Sequence, residues 1–538
     1  MIREGTPPSR HIHRFQAFLS ELADQLAAKS LLIAEPAAGG TRYRLLETIR
    51  QYGAGCLSEA GQADPVRRRH AEAFVHLAEE ERDLAVLARE QDNFRAALDF
   101  TLSGGSPAGP RLAQALGGFW LARGLFSEAQ GWLERALAAG PADGRLRADL
   151  HRLLGAVLYA AGDLQQAQAT LAHGAQVAAA AGQPSIKARI RVLQAEIQAL
   201  TQSGIYLGAR QTCEAAAALL ESEDDLEGAA EAWLSAGKLH FFDGDTQAAE
   251  QALQRAGANA RRSGNHHAEQ ESRAWLVANL EDLPIPVDVA VGRAEQQLEA
   301  TTGDPWSEAA ILQDLALLYG FAGRFADARA AYRRCQSISA ASGAKLGWAR
   351  CTMLAGRIEM MAGNPAEAER ILTEGEEALR AMGERAYRAS ILAELAAAVD
   401  AQGRPGQALQ LTEEAEALGV ADYDAEARWR ATRAKVLARA GQFPTATQLA
   451  EEAIALIPAT ADWPQRAEFL VAKAEVSQLA GAFDEAEDSL RQALRFYDDR
   501  HMVPLAKRTR ALLTSLACAT PPLRWNGKPG YKANGQCP

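Results

Sequence analysis

The chain has 538 residues, which at about 150 residues per globular domain suggests three or four domains. Hydrophobic residues make up 48% but aromatics only 6%, so Ala and Leu carry the apolar share; helices are favoured, and an all-β or collagen-like chain is excluded. A formal charge of −11, from 68 acidic against 57 basic residues, excludes a protein that engages nucleic acid with its whole surface and leaves room for local basic patches.

Residues 1–14 are rich in Arg, His and Pro, lack the apolar core of a signal peptide and are expected to be unstructured. No run of 18 apolar residues occurs, so no membrane partner is expected. From Phe15 to Lys29 the apolar residues Phe18, Leu19, Leu22 and Leu26 have helical period. Ser30 to Ala34 and Thr41 to Leu45 then read as two strands about the turn-rich Pro36 to Gly40, and Leu46 to Ser58 as a second helix. Residues 15–65 therefore predict the last helix and β-wing of a partial winged helix, and 66–106 a helical linker pair. Arg67, Arg68 and Arg69 read as a basic turn at the start of a helix from Ala71 to Glu81.

Residues 107–500 carry an internal repeat. Gly124, Gly162, Gly204, Gly244, Gly323, Gly363, Gly403, Gly441 and Gly481 are separated by 38, 42, 40, 79, 40, 40, 38 and 40 residues, the step of 79 being two periods. Five residues after each glycine stands Ala, and twelve after it a small residue, from Ala136 and Gly174 to Cys335 and Ala493. Seven residues before it stands Gly or Ala, Ile197 excepted. A glycine that ends one helix and small residues that let the next approach closely specify helical hairpins. A hairpin cannot bury its apolar face alone, so the hairpins stack into an α-solenoid. One repeat, between about Asn265 and Thr302, has Leu283-Pro284-Ile285-Pro286 in place of the glycine turn; an extended linker is expected there, as a hinge or as ordinary loop drift. Residues 501–518 read as a capping helix bearing Lys507, Arg508 and Arg510, and 519–538 as a disordered tail.

The order of small residue, turn glycine, aromatic and Ala, as in Leu154-Gly155, Gly162-Asp163-Leu164 and Ala167, resembles the tetratricopeptide repeat, with a period of about 40 in place of 34. HEAT repeats share the longer period and lack the turn signature. A further series is similar to the junction in bacterial STAND-type transcriptional regulators: Lys29-Ser30-Leu31, then Tyr43-Arg44-Leu45-Leu46-Glu47-Thr48-Ile49-Arg50-Gln51-Tyr52, Arg67-Arg68-Arg69-His70-Ala71 and Asp92-Asn93-Phe94-Arg95-Ala96-Ala97-Leu98. In that family a nucleotide-binding ATPase precedes a winged helix and a tetratricopeptide-like sensor. The resemblance implies a sensor with a separate ATPase subunit as partner, and a truncated gene, a late start or half of a split system. It does not bring ATP hydrolysis, because no GxxxxGK[ST] loop is present; Gly237-Lys238 and Gly527-Lys528 lack the glycine ladder and the hydroxyl.

Catalytic and metal-binding constellations are not evident. The histidine pairs lack ligand spacing, Asp498-Asp499 suits a solvated helix end, no GxSxG elbow occurs, and the six cysteines form no CxxC pair, which fits a reducing cytoplasm. Cys335 falls on a small-residue packing position. No enzyme and no cofactor are expected.

In tetratricopeptide domains the first helix of each hairpin lines the concave face, with positions ten, six and three residues before the turn glycine pointing inward. That register selects Arg152, Tyr159, Gln194, Gln198, Thr201, Lys238, Phe241, Gln313, Met353, Arg357, Met360, Lys435, Glu475 and Gln478, and one turn further back Arg191, Arg350 and Arg428. Cations outnumber acids in this set, so the groove is expected to be locally positive and to take a peptide or protein partner, or a small acidic effector. The sequence thus predicts an all-α tetratricopeptide-like solenoid with a partial winged helix, acting as a non-catalytic sensor or scaffold of a transcriptional regulator. A DNA-binding regulator using the winged helix is the alternative; direct DNA contact is not expected, since the element is incomplete.

Overall fold

The computed structural model describes residues 23–37, 40–81, 83–201, 206–301, 305–341, 345–419, 423–457 and 464–519. The expectations for residues 1–14, for the first part of the winged helix, for the turn at Gly204 and for the tail beyond 519 lie outside these residues. The chain divides into two compact units, residues 1–181 and 182–538.

The first unit begins with a helical stretch over 23–28 and two antiparallel strands, Leu32–Ala37 and Gly40–Leu45, in register from Leu32↔Leu45 to Ala37↔Gly40. Helices Glu47–Glu59, Ala63–Glu80, Leu84–Arg89 and Gln91–Ser103 follow. The arginines 67–69 lie inside the second of these and not in a turn before it: Gly61, at φ +64°, makes the turn, and Asp64 occupies the first helical turn. Two hairpins complete the unit, Ala108–Ala122 with Phe126–Ala138 and Gly144–Ala160 with Leu164–Ala180.

The second unit stacks eight hairpins among its described residues. Their first helices are Pro184–Thr201, Leu226–Phe242, His266–Leu280, Pro305–Phe321, Lys345–Met361, Ala386–Ala401, Tyr423–Arg439 and Pro464–Leu479. Their second helices are Tyr206–Ser222, Thr246–Ser263, Val287–Glu299, Phe325–Ala341, Pro365–Met382, Pro405–Ala417, Phe443–Ala455 and Phe483–Asp499, and Val503–Ala519 follows as a last helix. Successive first helices lie side by side.

The repeated residues act as their spacing requires. The described turn glycines have φ between +67° and +87°, a region closed to most side chains. Every Ala five residues on is buried, Ala129, Ala167, Ala249 and Ala328 at 0% exposure. A Cβ on Gly155 would stand 2.4 Å from the Leu171 side chain, and one on Gly237 2.7 Å from that of Leu253. The small residue seven positions before the turn therefore seats a leucine of the partner helix. Asp163, Asp225 and Asp245, at the start of the next helix, accept from backbone N–H groups three residues on, satisfying free donors.

The end of the second unit packs against its middle. Tyr497, Met502 and Ala506 share one apolar core with Ala274 to Ile358. Arg500, 2% exposed, donates to the Ile285 carbonyl at 2.9 Å and to the Glu281 carbonyl at 2.6 Å, and its own carbonyl accepts from the Val287 N–H at 2.9 Å. The Leu283-Pro284-Ile285-Pro286 linker, whose prolines cannot donate, offers the Ile285 carbonyl to this arginine, and Glu281 just before it offers a second.

Candidate functional site

The inward registers place most of their residues on the first helices, where they meet acids of the neighbouring first helix. In the first unit Asp149 accepts from Arg152 Nε at 2.6 Å and from Gln114 Nε2 at 2.7 Å, the latter one hairpin away. Tyr159 is half-buried on the same helix.

In the second unit the pattern extends into two ladders. Arg189 pairs with Glu231 at 2.9 Å, Ser235 donates to Glu196, and Lys238 pairs with Glu271 at 2.5 Å. These partners are 42, 39 and 33 residues apart, close to one repeat. Burial alone would push the Lys238 ammonium down, but Glu271 and Glu196 outweigh it and hold it above its usual value. Beside it Phe241, Phe242 and Trp275 meet edge to face, with ring centroids 5.5–5.8 Å apart, and Lys238 Nζ lies 5.7 Å from the Trp275 ring. The second ladder crosses four first helices. Arg357 bonds Glu394 and Asp424; Arg428 reaches Glu394 at 2.9 Å, Asp424 at 3.0 Å and Glu468 at 2.9 Å. Burial favours protonation of Asp424, and the two guanidiniums override it, holding the carboxyl down at about 2. Lys435 and Arg439 meet Asp400 at 3.7 and 2.7 Å, and Arg439 also holds Glu475.

The expected excess of positive charge on this face is therefore cancelled. Arg152, Lys238, Arg357 and Arg428 face acids that lie outside the three inward registers, and Lys435 faces Asp400, three residues before Gly403. Gln194 and Met360 are half-buried and Gln198 exposed, while Gln313 is buried with its amide 3.5 Å from Asp314; the Thr201 side chain lies outside the described residues. Arg191 and Arg350 are exposed, the latter 5.3 Å from the Tyr387 ring, and the Glu468 side chain remains 56% exposed.

The irregular hairpin contributes groups that the register missed. Asp314 lies close enough to raise the pKa of both Glu281 and Asp282. Burial pushes Asp282 up to about 7 and Asp314 up to about 6, and Glu281, also repelled by both, goes well above the usual range. Glu281 Oε1 is buried with no hydrogen-bond partner. Glu281 and Asp282 stand where the glycine turn is lost, so counting back from a glycine could not find them, and Asp314 lies nine residues before Gly323, outside the three registers; Glu394 and Glu271 were legible as acids one period from Arg357 and Lys238. Among the described residues no group of three metal-ligating side chains occurs, and no helix is long and apolar enough to cross a membrane.

Known proteins match this chain locally. Residues 309–342 match the tetratricopeptide repeat family, a span covering most of the hairpin Pro305–Phe321 and Phe325–Ala341. Proteins of Mycobacterium tuberculosis and Mycobacterium bovis named as candidate HTH-type transcriptional regulators are 34% identical over 122 residues, 21% of this chain; the chain spans 14% of their length. Among solved structures, yeast Tom70 is 12% identical with a TM-score of 0.38, covering 83% of this chain and 99% of its own. A Rap protein complexed with competence and sporulation factor is 12% identical with a TM-score of 0.41, covering 69% and 98%. At such scores neither bears on ligand or mechanism. The hairpins described above and the family match make the chain a tetratricopeptide-like helical repeat protein, a fold of protein-interaction scaffolds.

Proposed function

We propose that this chain is the non-catalytic protein- or peptide-binding module of a signal-transducing transcriptional regulator, working in the cytoplasm. The observation that carries the reading is the ladder of ion pairs across successive first helices. It fixes a polar face on which Arg191, Gln198, Arg350 and the ladder carboxylate Glu468 are exposed, two cations, an amide and a carboxylate that suit a peptide with charges of both signs. The similarity to mycobacterial regulators supports the regulatory context over the part of the chain it covers. We further propose the domain division given by the sequence: 15–65 as the end of a winged helix, 66–106 as a linker, 107–500 as the sensor and 501–518 as its cap. The resemblance to STAND regulators adds a separate ATPase as the partner that receives the signal. Affinity purification from the native cell tests the reading: a peptide or protein, or a nucleotide-binding partner, held by the chain supports it, and ATP turnover by the purified chain alone overturns it.

A second reading has its own support in the two-stranded sheet Leu32–Ala37 and Gly40–Leu45, which would serve as a wing on DNA. A gel shift with residues 1–65 separates the two, because binding driven by phosphates must weaken steeply with salt.

A further inference from the structure

The irregular hairpin and the helix before it form a half-open cavity that the inner face does not use. It lies between the second helices Thr246–Ser263 and Val287–Glu299 and the first helix His266–Leu280, and measures ≈ 210 Å³, more than ten times the ~15 Å³ one water needs. Its origin is in the packing. Helices His266–Leu280 and Val287–Glu299 touch far less than the two helices of the preceding hairpin, Leu226–Phe242 and Thr246–Ser263. Gly257 adds space: a Cβ there would meet only ordinary contacts, Ser272 at 3.6 Å and Arg261 at 3.7 Å.

The lining is chemically one-sided. Leu253, Leu276 and Leu280 supply an apolar wall, and three guanidiniums, Arg261, Arg273 and Arg293, face a single lining carboxylate, Glu269. Glu269 accepts from Arg273 at 2.9 Å and lies 3.7 Å from Arg261; Arg293 pairs with Glu250, outside the lining. Gln297 takes a further bond from Arg273 at 3.0 Å, yet Arg273 Nε is buried with no partner. Each guanidinium carries five N–H donors, more than Glu269, Glu250 and Gln297 take up, so an incoming carboxylate can be held by charge-assisted hydrogen bonds. In a chain of net charge −11 the site is a local positive concavity beside apolar surface.

We propose that this cavity binds a small organic anion, a carboxylate on a short apolar chain, with the head on Arg273 and its neighbouring guanidiniums and the tail against the three leucines. The site is separate from the inner face and stands or falls independently of the partner proposed there.

Calorimetric titration of the full chain with hexanoate, with hexylammonium and with inorganic phosphate tests it. Hexanoate binds, hexylammonium does not, and phosphate, lacking the tail, binds more weakly. Arg273→Gln weakens hexanoate by about tenfold. Gly257→Leu fills the space and abolishes binding, while melting no lower than the parent because a helical glycine is replaced. The proposal is overturned if hexanoate gives no saturable binding at millimolar concentration, if hexylammonium or phosphate binds as well as hexanoate, or if Arg273→Gln leaves the affinity unchanged. Should Gly257→Leu melt lower, the Arg273→Gln titration decides.

Discussion

The hairpin Leu226–Phe242 with Thr246–Ser263 and the one after it, His266–Leu280 with Val287–Glu299, have similar composition and different consequences. In the first, Asp243-Gly244-Asp245 turns the chain in three residues, Gly237 seats Leu253, and the inward charges find partners one repeat away. In the second a six-residue linker with two prolines replaces the turn, and three changes follow. The helices part enough to leave a cavity, the linker carbonyls are free to receive Arg500, and Glu281 and Asp282 stand near Asp314 with too few cations to neutralise them. Small-residue spacing therefore sets more than helix distance: it sets whether inward charges fall opposite one another.

Breaking the regular side should cost most. Arg428→Ala leaves Glu394 and Asp424 buried beside a missing guanidinium; loss of a partner from a buried pair costs about 3–5 kcal/mol, read from urea unfolding. Next in size is a pH effect where the irregular hairpin's linker meets Asp314 of the following helix. Asp282 and Asp314 have folded-state values, about 7 and about 6, above their unfolded ones, so the folded chain binds more protons and stability falls as pH rises through that window. The melting temperature should be several degrees higher near about pH 5 than near about pH 8, and the combined Glu281→Gln, Asp282→Asn, Asp314→Asn variant should lose most of that difference. Below the ordinary carboxylate range the sign reverses, because Asp424 titrates at about 2 and its ion pairs are then lost.

Arg500→Ala removes two charge-assisted hydrogen bonds to linker carbonyls, and an effect of about 3 kcal/mol is expected in the same denaturant assay. The smallest effects carry the sharpest contrast. Gly237→Ala puts a methyl 2.7 Å from Leu253 and should cost about 1–3 kcal/mol by overpacking. Gly257→Ala, in the loosened hairpin, should gain about 0.5–1 kcal/mol. Equal losses at the two glycines would show that the hairpins are packed alike.

Much of this fold was legible because it is written in residue size. Ala249 and Ala256, or Ala368 and Gly375, are small at fixed offsets from a glycine, and each is buried between helices as that offset requires. The charged face was legible only by half. Arg357 and Lys238 could be placed by counting back from a glycine, but Glu394 and Glu271, at other offsets on other helices, had to be sought one period away. The Arg500 contact, 215 residues from Ile285, has no local signal at all, since it depends on how far the second unit curves before its end meets its middle. The basic run at 67–69 reads as a turn before Ala71 from the sequence, whereas the turn at Gly61 and Asp64 in the first helical turn start the helix earlier.

The inner face of the second unit is proposed to recognise a peptide or protein through Arg191 and Arg350, the cations that stand exposed beside its ladders. The most direct test is to capture the partner with the full chain and measure its affinity for the parent and for the combined Arg191→Glu, Arg350→Glu variant by calorimetry, with melting curves of both. Affinity at least about tenfold weaker at an unchanged melting temperature is expected; unchanged affinity in a variant that folds as the parent does would rule out recognition by these charges.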